Sequence, residues 1–237
     1  MGKADLHIHT NYSDGSATVM QVLRRAVEMG LDTIAITDHN EIAGAVKARE
    51  LAERWGLKID VIIGEEITTS DGHVVGLFLK EKIRPLLTAQ ATVDEIHRQG
   101  GLAVAVHPFS LWLKLFNCGG VGRLAERLQF DAIEVANGAL TETFSNQYTK
   151  AYNNKVIKLA GVGGSDAHTI EALGQAYTMF PGRGAAWLRN AIIHKATRSV
   201  LTGSRFKALL DFITDHLKGK LALYGPQGGR LGQVDTV

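Results

Sequence analysis

Three features of the 237-residue sequence predict an α/β fold in which strands and helices alternate around a barrel. Short runs rich in Val, Ile and Leu, each closed by polar or turn residues, alternate with longer amphipathic stretches. Such an order is typical of a largely parallel sheet with right-handed crossovers. Polar residues collect at the ends of successive runs, and no GxGxxG or GxxxxGKS/T motif marks a nucleotide crevice, which favours a barrel over an open sheet. We therefore expect the functional face at the carboxyl ends of the strands.

Seven apolar segments are predicted as strands. They are DLHIH, TIAITD, IDVIIGEE, HVVGLFL, LAVAVHP, DAIEVAN and LAGVGGSD. Helices are predicted at residues 18–29, 41–55, 92–99, 184–197 and 203–217, the third of them opening with a capping-box pattern at Thr92. The glycine-rich residues 218–237 are expected to form a flexible tail.

The composition narrows the class of protein. Hydrophobic residues make up 45% and charged residues 21% of the chain, as in ordinary globular enzymes, and a net charge of +2 disfavours a nucleic-acid partner. The single cysteine, Cys118, provides neither a disulfide framework nor a thiolate metal site. The stretch MGKADLHI lacks the apolar core of a signal peptide, and no run of about 18 apolar residues occurs. We expect a cytoplasmic enzyme with no membrane partner, and the sequence leaves a homo-oligomer open.

Six of the nine histidines fall at predicted strand ends or in the adjoining loops: His7, His9, His39, His73, His107 and His168. Nearby carboxylates are Asp14, Asp38, Glu65, Glu66 and Asp166. Imidazole nitrogens and carboxylate oxygens are natural ligands for zinc, manganese and iron. Each motif also has a purely structural interpretation, such as a helix cap at Asp38, but their concentration at one end of a barrel favours a metal site. The other histidines, His97, His194 and His216, fall in predicted helices, so we expect them to lie outside it.

These motifs resemble those of the PHP family, the polymerase and histidinol phosphatase superfamily. The segment DLHIHTNYSDG at residues 5–15 resembles the first family motif and TDH at 37–39 the second. GEE at 64–66 with a downstream His73, HP at 107–108 and SDAH at 165–168 resemble the remainder, in the family's order. The resemblance implies a distorted seven-stranded (β/α) barrel at residues 1–180 that holds two or three divalent ions. Residues 181–217 would then form C-terminal helices packed on the barrel.

The resemblance also implies a set of ligands. The first ion would be bound by His7, His9, Glu65 and Asp166. Glu65 would bridge to a second ion held by His73 and His107, and a third would be held by Asp14, His39 and His168. Because side chains alternate along a strand, only one of Glu65 and Glu66 is expected to face the site, and the G-x-E spacing is interpreted as Glu65. Asp38 is expected to orient a ligand instead of binding an ion.

Such a site predicts hydrolysis of a phosphoester by metal-activated water. Two ions about 3.5 to 4 Å apart can hold a bridging hydroxide and stabilise both the attacking and the leaving oxygen, so no side-chain nucleophile is required. A small phosphomonoester, including a nucleotide, is the favoured substrate. The short interval between His73 and His107 lacks the insertion of nucleotide-acting relatives, and histidinol phosphatases of the family are usually longer. Lys114, Arg123, Arg183 and Asn137 are candidate phosphate ligands.

Several alternatives stay open at this point. The apolar segment 111–123 is either a buried helix, an oligomer contact or a lid beside the ions. Three alternatives to the favoured function also stay open. The protein could be an amidohydrolase-like enzyme acting on a C–N or C–O bond, a histidinol-phosphate phosphatase, or a PHP module without activity. Amidohydrolases typically use a lysine at a middle strand end, where this sequence has none, and a module without activity is disfavoured because every ligand position is filled.

Overall fold

The computed structural model describes residues 1–110 and 119–202. Lys114, most of the apolar segment, the predicted helix at 203–217 and the predicted tail at 218–237 lie outside the described residues.

Nine strands form one sheet in the part of the chain that the structure describes. They are β1 Gly2–Asp5, β2 Thr33–Ile36, β3 Asp60–Thr69, β4 Gly72–Leu77, β5 Leu102–Ala105, β6 Ala132–Asn137, β7 Ala160–Gly164, β8 Ala176–Phe180 and β9 Arg198–Leu201. Strands β2 to β7 correspond to six of the seven predicted strands. The predicted first strand, DLHIH, is misplaced, because β1 ends at Asp5 and His7 and His9 follow it. The α/β barrel is confirmed, and β8 and β9 are added to it.

The sheet is mixed, which corrects the expectation of a largely parallel one. Its strand order is β7-β6-β5-β4-β3-β2-β1-β8-β9. Strands β1 to β3 are parallel, as are β5 to β7, but β4 is antiparallel to both of its neighbours. Only residues 70 and 71 connect β3 to β4, and a parallel crossover needs a dozen residues or more, so these two strands must form a hairpin.

The sheet closes where β1 and β7 continue beyond their last strand residues. Ile8 and Ala167 form a parallel bridge, and the N–H of Asp166 donates to the carbonyl of His7 at 2.8 Å. On the other side of β1, Thr178 of β8 accepts the N–H of Gly163 from β7 at 2.8 Å. These contacts bring the segments after β1 and β7 side by side.

Five α-helices are described: α1 Val19–Glu28, α2 Ala43–Arg54, α3 Ala89–Arg98, α4 Thr143–Tyr152 and α5 Ala185–Ile193. Thr18 caps α1 in a capping box with Gln21. Helix α3 begins earlier than predicted, because Thr88 is its N-cap and Thr92 is buried within it, which corrects the capping box placed at Thr92. Helix α4 was not predicted, since its sequence TFSNQYTKAY is poor in strong helix formers.

The apolar core has two layers. One lies between the sheet and the helices and includes Leu23, Ile34 and Ile96. The other lines the barrel interior and includes Leu6, Ile62, Leu77, Val104 and Phe180 together with Leu188 and Ile192 of α5. The first N–H of α5, from Ala185, donates to Asp60 at the start of β3, so this helix covers the amino end of the barrel. No described helix combines the length and apolar character needed to cross a membrane.

Candidate metal centre

Five histidines surround the carboxylate of Glu66 at the carboxyl end of the barrel. Glu66 Oε2 lies 3.1 Å from His7 Nε2, 3.1 Å from His9 Nε2 and 3.4 Å from His39 Nδ1. Glu66 Oε1 lies 2.8 Å from His73 Nδ1 and 3.1 Å from His107 Nε2. Each carboxylate oxygen therefore faces a different set of ring nitrogens, as a carboxylate shared by two ions would.

The prediction that Glu65 is this central carboxylate is wrong. Glu65 points to the opposite face of β3, where its Oε2 accepts the N–H of Ile83 at 2.9 Å, and burial raises its pKa to about 7. On β3, Ile62 belongs to the layer inside the barrel and Ile63 to the layer under the helices, so side-chain alternation carries Glu66 inward and Glu65 outward. The sequence pattern did not show this because both faces of the strand are apolar.

Three groups of ligand atoms converge around Glu66, and the atoms of each group lie within 4.8 Å of one another. The first is His7, His9, Glu66 and Asp166; the second is His39, Glu66 and His73; the third is His9, Asp14, His39 and His168. His107 adjoins the second group through its contact with Glu66. Apart from the exchange of Glu65 for Glu66, the structure brings the predicted ligands together, with His9 and His39 each shared between two groups.

Backbone conformation helps to aim two of these side chains. His107 and Asp166 adopt positive φ angles of 27° and 53°. Such angles are uncommon for residues other than glycine and tend to occur at functional sites. His107 follows the end of β5 and Asp166 the end of β7. At both positions the positive φ angle interrupts the regular alternation of side-chain directions along the strand.

The donor set fits divalent metal ions. Within the described part of the chain, Nδ1 of the buried His9 and Nδ1 of the buried His107 have no hydrogen-bond partner. Unpaired buried nitrogens are costly, and coordination to an ion would satisfy them. In the first group, the ring nitrogens of His7 and His9 lie 3.1 to 3.5 Å from the oxygens of Glu66 and Asp166. That matches the spacing of about 3.4 Å between ligand atoms on a tetrahedral ion with bonds of about 2.1 Å.

The charges of the site are strongly coupled. Burial opposes ionisation of Glu66, but the charge of His7 and the hydrogen bonds of His107, His7 and His73 hold the pKa of Glu66 well below its usual value. Burial likewise opposes protonation of His9, but the carboxylates of Asp166 and Glu66 raise the pKa of His9 to about 9. Metal binding must therefore displace a proton from His9, which couples ion affinity to pH.

Asp38 supports the loop that carries Asp14. Its buried carboxylate accepts the N–H of Thr10 at 2.7 Å, the hydroxyl of Thr10 at 2.8 Å and the hydroxyl of Ser13 at 2.8 Å. These contacts hold the start of the loop against the end of β2, and they agree with the interpretation of Asp38 as a residue that orients a ligand.

Sequence reasoning missed Glu134. This buried residue of β6 pairs with His7 Nδ1 at 3.2 Å and accepts the N–H of His107 at 2.9 Å. A carboxylate on the far ring nitrogen fixes the orientation of a ligating histidine. The signal in the sequence was an acidic residue inside the apolar run DAIEVAN.

Of the four predicted phosphate ligands, Arg183 lies at the other end of the barrel and Asn137 is hydrogen-bonded within the site. Arg183 pairs with Asp32 at 3.2 Å, directly before β2 and so at the amino end of the barrel, away from the histidines. Asn137 is fully buried and donates to Glu134 and Asp166, which replaces the predicted substrate contact. Arg123 is exposed on a 3-10 helix at Gly122–Glu126, and its role stays a prediction. Lys114 lies outside the described residues.

The histidines predicted to lie outside the site are, where described, remote from it. His97 of α3 pairs with Asp131 at 2.9 Å, and His194 at the end of α5 interacts through Nδ1 with the carbonyl of Asn190. His216 lies outside the described residues.

Comparisons with known proteins agree with this architecture. The PHP domain model matches residues 5–192. An uncharacterised protein of Methanocaldococcus jannaschii is 38% identical over 167 residues, which cover 66% of this chain and 92% of that protein. The 5'-3' exoribonuclease Rnm of Escherichia coli is 47% identical over 77 residues, but the match covers only 31% of this chain and 26% of the exoribonuclease.

A solved structure shares the fold. It is a two-domain protein from Bacteroides vulgatus that contains a predicted PHP-like metal-dependent phosphoesterase. The TM-score is 0.66 at 23% sequence identity, over 84% of this chain and 64% of that protein.

Proposed function

The chain belongs to the PHP domain family, and from this premise we propose that it is a metal-dependent phosphoesterase that hydrolyses a small phosphomonoester. The observation that carries the proposal is the position of Glu66, whose two carboxylate oxygens face two different sets of imidazole nitrogens. Similarity over a short region to an exoribonuclease, an enzyme that cleaves phosphoesters, supports this reaction class.

Each group of residues has a defined part in holding the ions. The first ion would be held by His7, His9 and Asp166. The second would be held by His39, His73 and His107, and Glu66 would be shared between these two ions. Asp14, His39 and His168 would hold the third, on the side that faces solvent. Bound divalent ions of this kind supply Lewis-acid chemistry, which polarises a phosphoryl oxygen and lowers the pKa of water. Zinc, manganese and iron all suit these donors.

The exposure of the groups indicates where a substrate enters. His7, His9 and Glu66 are each at most 1% exposed, whereas the side chains of Asp14 and His168 are 55% and 40% exposed. A phosphate group can thus approach from the side of Asp14 and His168, while the buried residues keep the reacting atoms in a fixed arrangement. The exposed Arg123 is a candidate for a further phosphate contact.

A substrate panel tests the proposal. The purified protein is loaded in turn with Mn²⁺, Zn²⁺ or Fe²⁺, and phosphate release is measured from phosphomonoesters, nucleotides, bisphosphates, histidinol phosphate and short oligonucleotides. We expect release from a small monoester that stops on chelation and returns on adding the ion. Simple amides and carboxylic esters are assayed in parallel, and their hydrolysis without phosphate release from the panel would instead indicate amidohydrolase chemistry. Bound ions with no turnover of any substrate would contradict the proposal in favour of a module without activity.

A further inference from the structure

Asn137, the last residue of β6, places its side-chain amide between two carboxylates. Its Nδ2 donates to Glu134 Oε2 and to Asp166 Oδ2, each at 3.0 Å, and its Oδ1 accepts the N–H of Ala139 at 2.9 Å. The reversed amide would set a carbonyl oxygen against two carboxylates, so this orientation is the one the surroundings allow. Both donors are used on the two carboxylates, and the residue is fully buried.

The main chain of Asn137 is itself held by a second buried amide. Asn146 of α4 accepts the N–H of Asn137 at 2.8 Å and donates to its carbonyl at 2.8 Å. The side chain of Asn146 therefore satisfies both polar groups of one residue at the strand end. This fixes the position from which the Asn137 amide reaches the carboxylates.

Two ligands of the first group depend on this amide. With its Oδ2 held by Asn137, Asp166 presents Oδ1 to His9 Nε2 at 3.3 Å and to His7 Nε2 at 3.5 Å. With its Oε2 held by Asn137 and the N–H of His107, Glu134 presents Oε1 to His7 Nδ1 at 3.2 Å. The positive φ of Asp166 is an uncommon conformation, so side-chain contacts must contribute to holding it.

We propose that Asn137 is a positioning residue whose NH₂ group aims Asp166 directly, and His7 through Glu134, at the first ion. The inference rests on the proposed function only in requiring that these residues bind a metal ion. Its chemistry demands a neutral donor, because a carboxylate at position 137 would face two others. An apolar side chain would remove the amide hydrogen bond from both, and Glu134 Oε2 would keep only the N–H of His107.

Cobalt binding tests the role without relying on turnover. The metal-free wild type, Asn137→Asp, Asn137→Ala and the control Asn153→Ala are titrated with Co²⁺, and the visible absorption of the bound ion and the number of ions per chain are recorded. Asn153 is a suitable control because it is also buried and makes two hydrogen bonds, to the N–H and the carbonyl of Leu159, outside the site. Asn137→Asp is the decisive variant, since it keeps the shape of the residue and removes the donor.

The expected result is a first-ion affinity 10- to 100-fold lower in both variants of Asn137, with an altered Co²⁺ spectrum, as for other residues that orient metal ligands. Asn153→Ala should be less stable to heat yet bind Co²⁺ as the wild type does. Wild-type binding by Asn137→Asp, or an equal loss in Asn153→Ala, would overturn the inference. If the wild type binds Co²⁺ but releases no phosphate, the proposed reaction is contradicted, and the comparison of the Asn137 variants still tests the role of Asn137. A wild type that binds no ion would overturn both the proposed reaction and this role.

Discussion

Glu65 and Glu66 are adjacent on one strand and face opposite sides of the sheet. Glu66 lies 2.8 Å from His73 and 3.1 Å from His9, whereas Glu65 accepts the N–H of Ile83 beneath the outer layer of the barrel. Two carboxylates with the same side-chain chemistry thus have separate surroundings, one rich in imidazoles and the other largely apolar. Substitution of one or the other therefore separates the loss of a carboxylate inside the site from the loss of one outside it.

Gly44 is expected to be intolerant of alanine although it lies in a helix. A Cβ at this position of α2 would overlap Asp38 Oδ2 and lie 3.0 Å from Thr10 Oγ1. Helix propensity alone predicts that Gly44→Ala adds up to about 1 kcal/mol of stability. We expect the opposite, a lower melting temperature and weaker binding of the third ion, because Asp38 must release the loop that carries Asp14.

The neighbouring Ala43→Gly serves as the control for this variant. It lowers helix propensity at an exposed position without approaching Asp38. Calorimetry and metal titration of both variants check the prediction, and a Gly44→Ala protein that is more stable and binds ions normally would contradict it.

The third ion is expected to leave first. Its group contains the exposed side chains of Asp14 and His168, while the first group is almost entirely buried. Asp14→Asn should therefore lower the metal content by one ion per chain after dialysis and leave the first ion in place. The control is Glu28→Gln, an exposed carboxylate on α1 that pairs with Arg25. Metal content by mass spectrometry checks this, and loss of all ions from Asp14→Asn would count against separate sites.

Metal-free protein should lose stability as the pH rises through the mildly alkaline range. Burial lowers the pKa of His9, but Asp166 and Glu66 raise it to about 9 from a usual 6.5. A raised pKa means that the protonated histidine stabilises the folded state fully below pH 6.5, and that this contribution is lost as the pH approaches 9. The corresponding loss is on the order of 3 kcal/mol.

Urea unfolding of the metal-free protein between pH 6 and pH 9.5 measures this slope. His9→Asn should reduce it, and His194→Asn, at an exposed position beyond the site, should not. Metal-loaded protein should show a smaller decline because the ion takes the place of the proton. An unchanged slope in His9→Asn would show that other groups control the pH dependence.

Much of the fold and the site was predictable from sequence because the strands are short, apolar and followed by polar residues. The histidines of the HIH, TDH, HP and DAH motifs all reach the same end of the barrel, as parallel strands with connecting helices require. Strand β4 is antiparallel to β3 because only two residues connect them. The order of apolar segments alone does not include the length of that connection. Helix α4 was missed because the hydrogen bonds of Asn146 and packing, and not helix propensity, support it.

The errors at the site have physical causes of the same kind. Choosing between Glu65 and Glu66 required knowing which face of a doubly buried strand lines the barrel. Glu134 and Asn137 were not recognised as parts of the ligand support because their partners, His7 and Asp166, lie far away in sequence. Arg183 was assigned to phosphate from its charge alone, yet its partner is Asp32 at the opposite end of the barrel.

The most direct test compares Glu66→Gln with Glu65→Gln in one experiment. Metal content and metal-dependent phosphate release are measured for both variants and the wild type under identical loading. We predict that Glu66→Gln loses at least one ion per chain and nearly all turnover, because one neutral amide replaces the shared carboxylate. Glu65→Gln should keep both, since its partner is a backbone N–H that an amide oxygen also accepts. A fully active, fully loaded Glu66→Gln, or an inactive Glu65→Gln that has lost its ions, would contradict the assignment of Glu66 as the carboxylate shared by the metal sites.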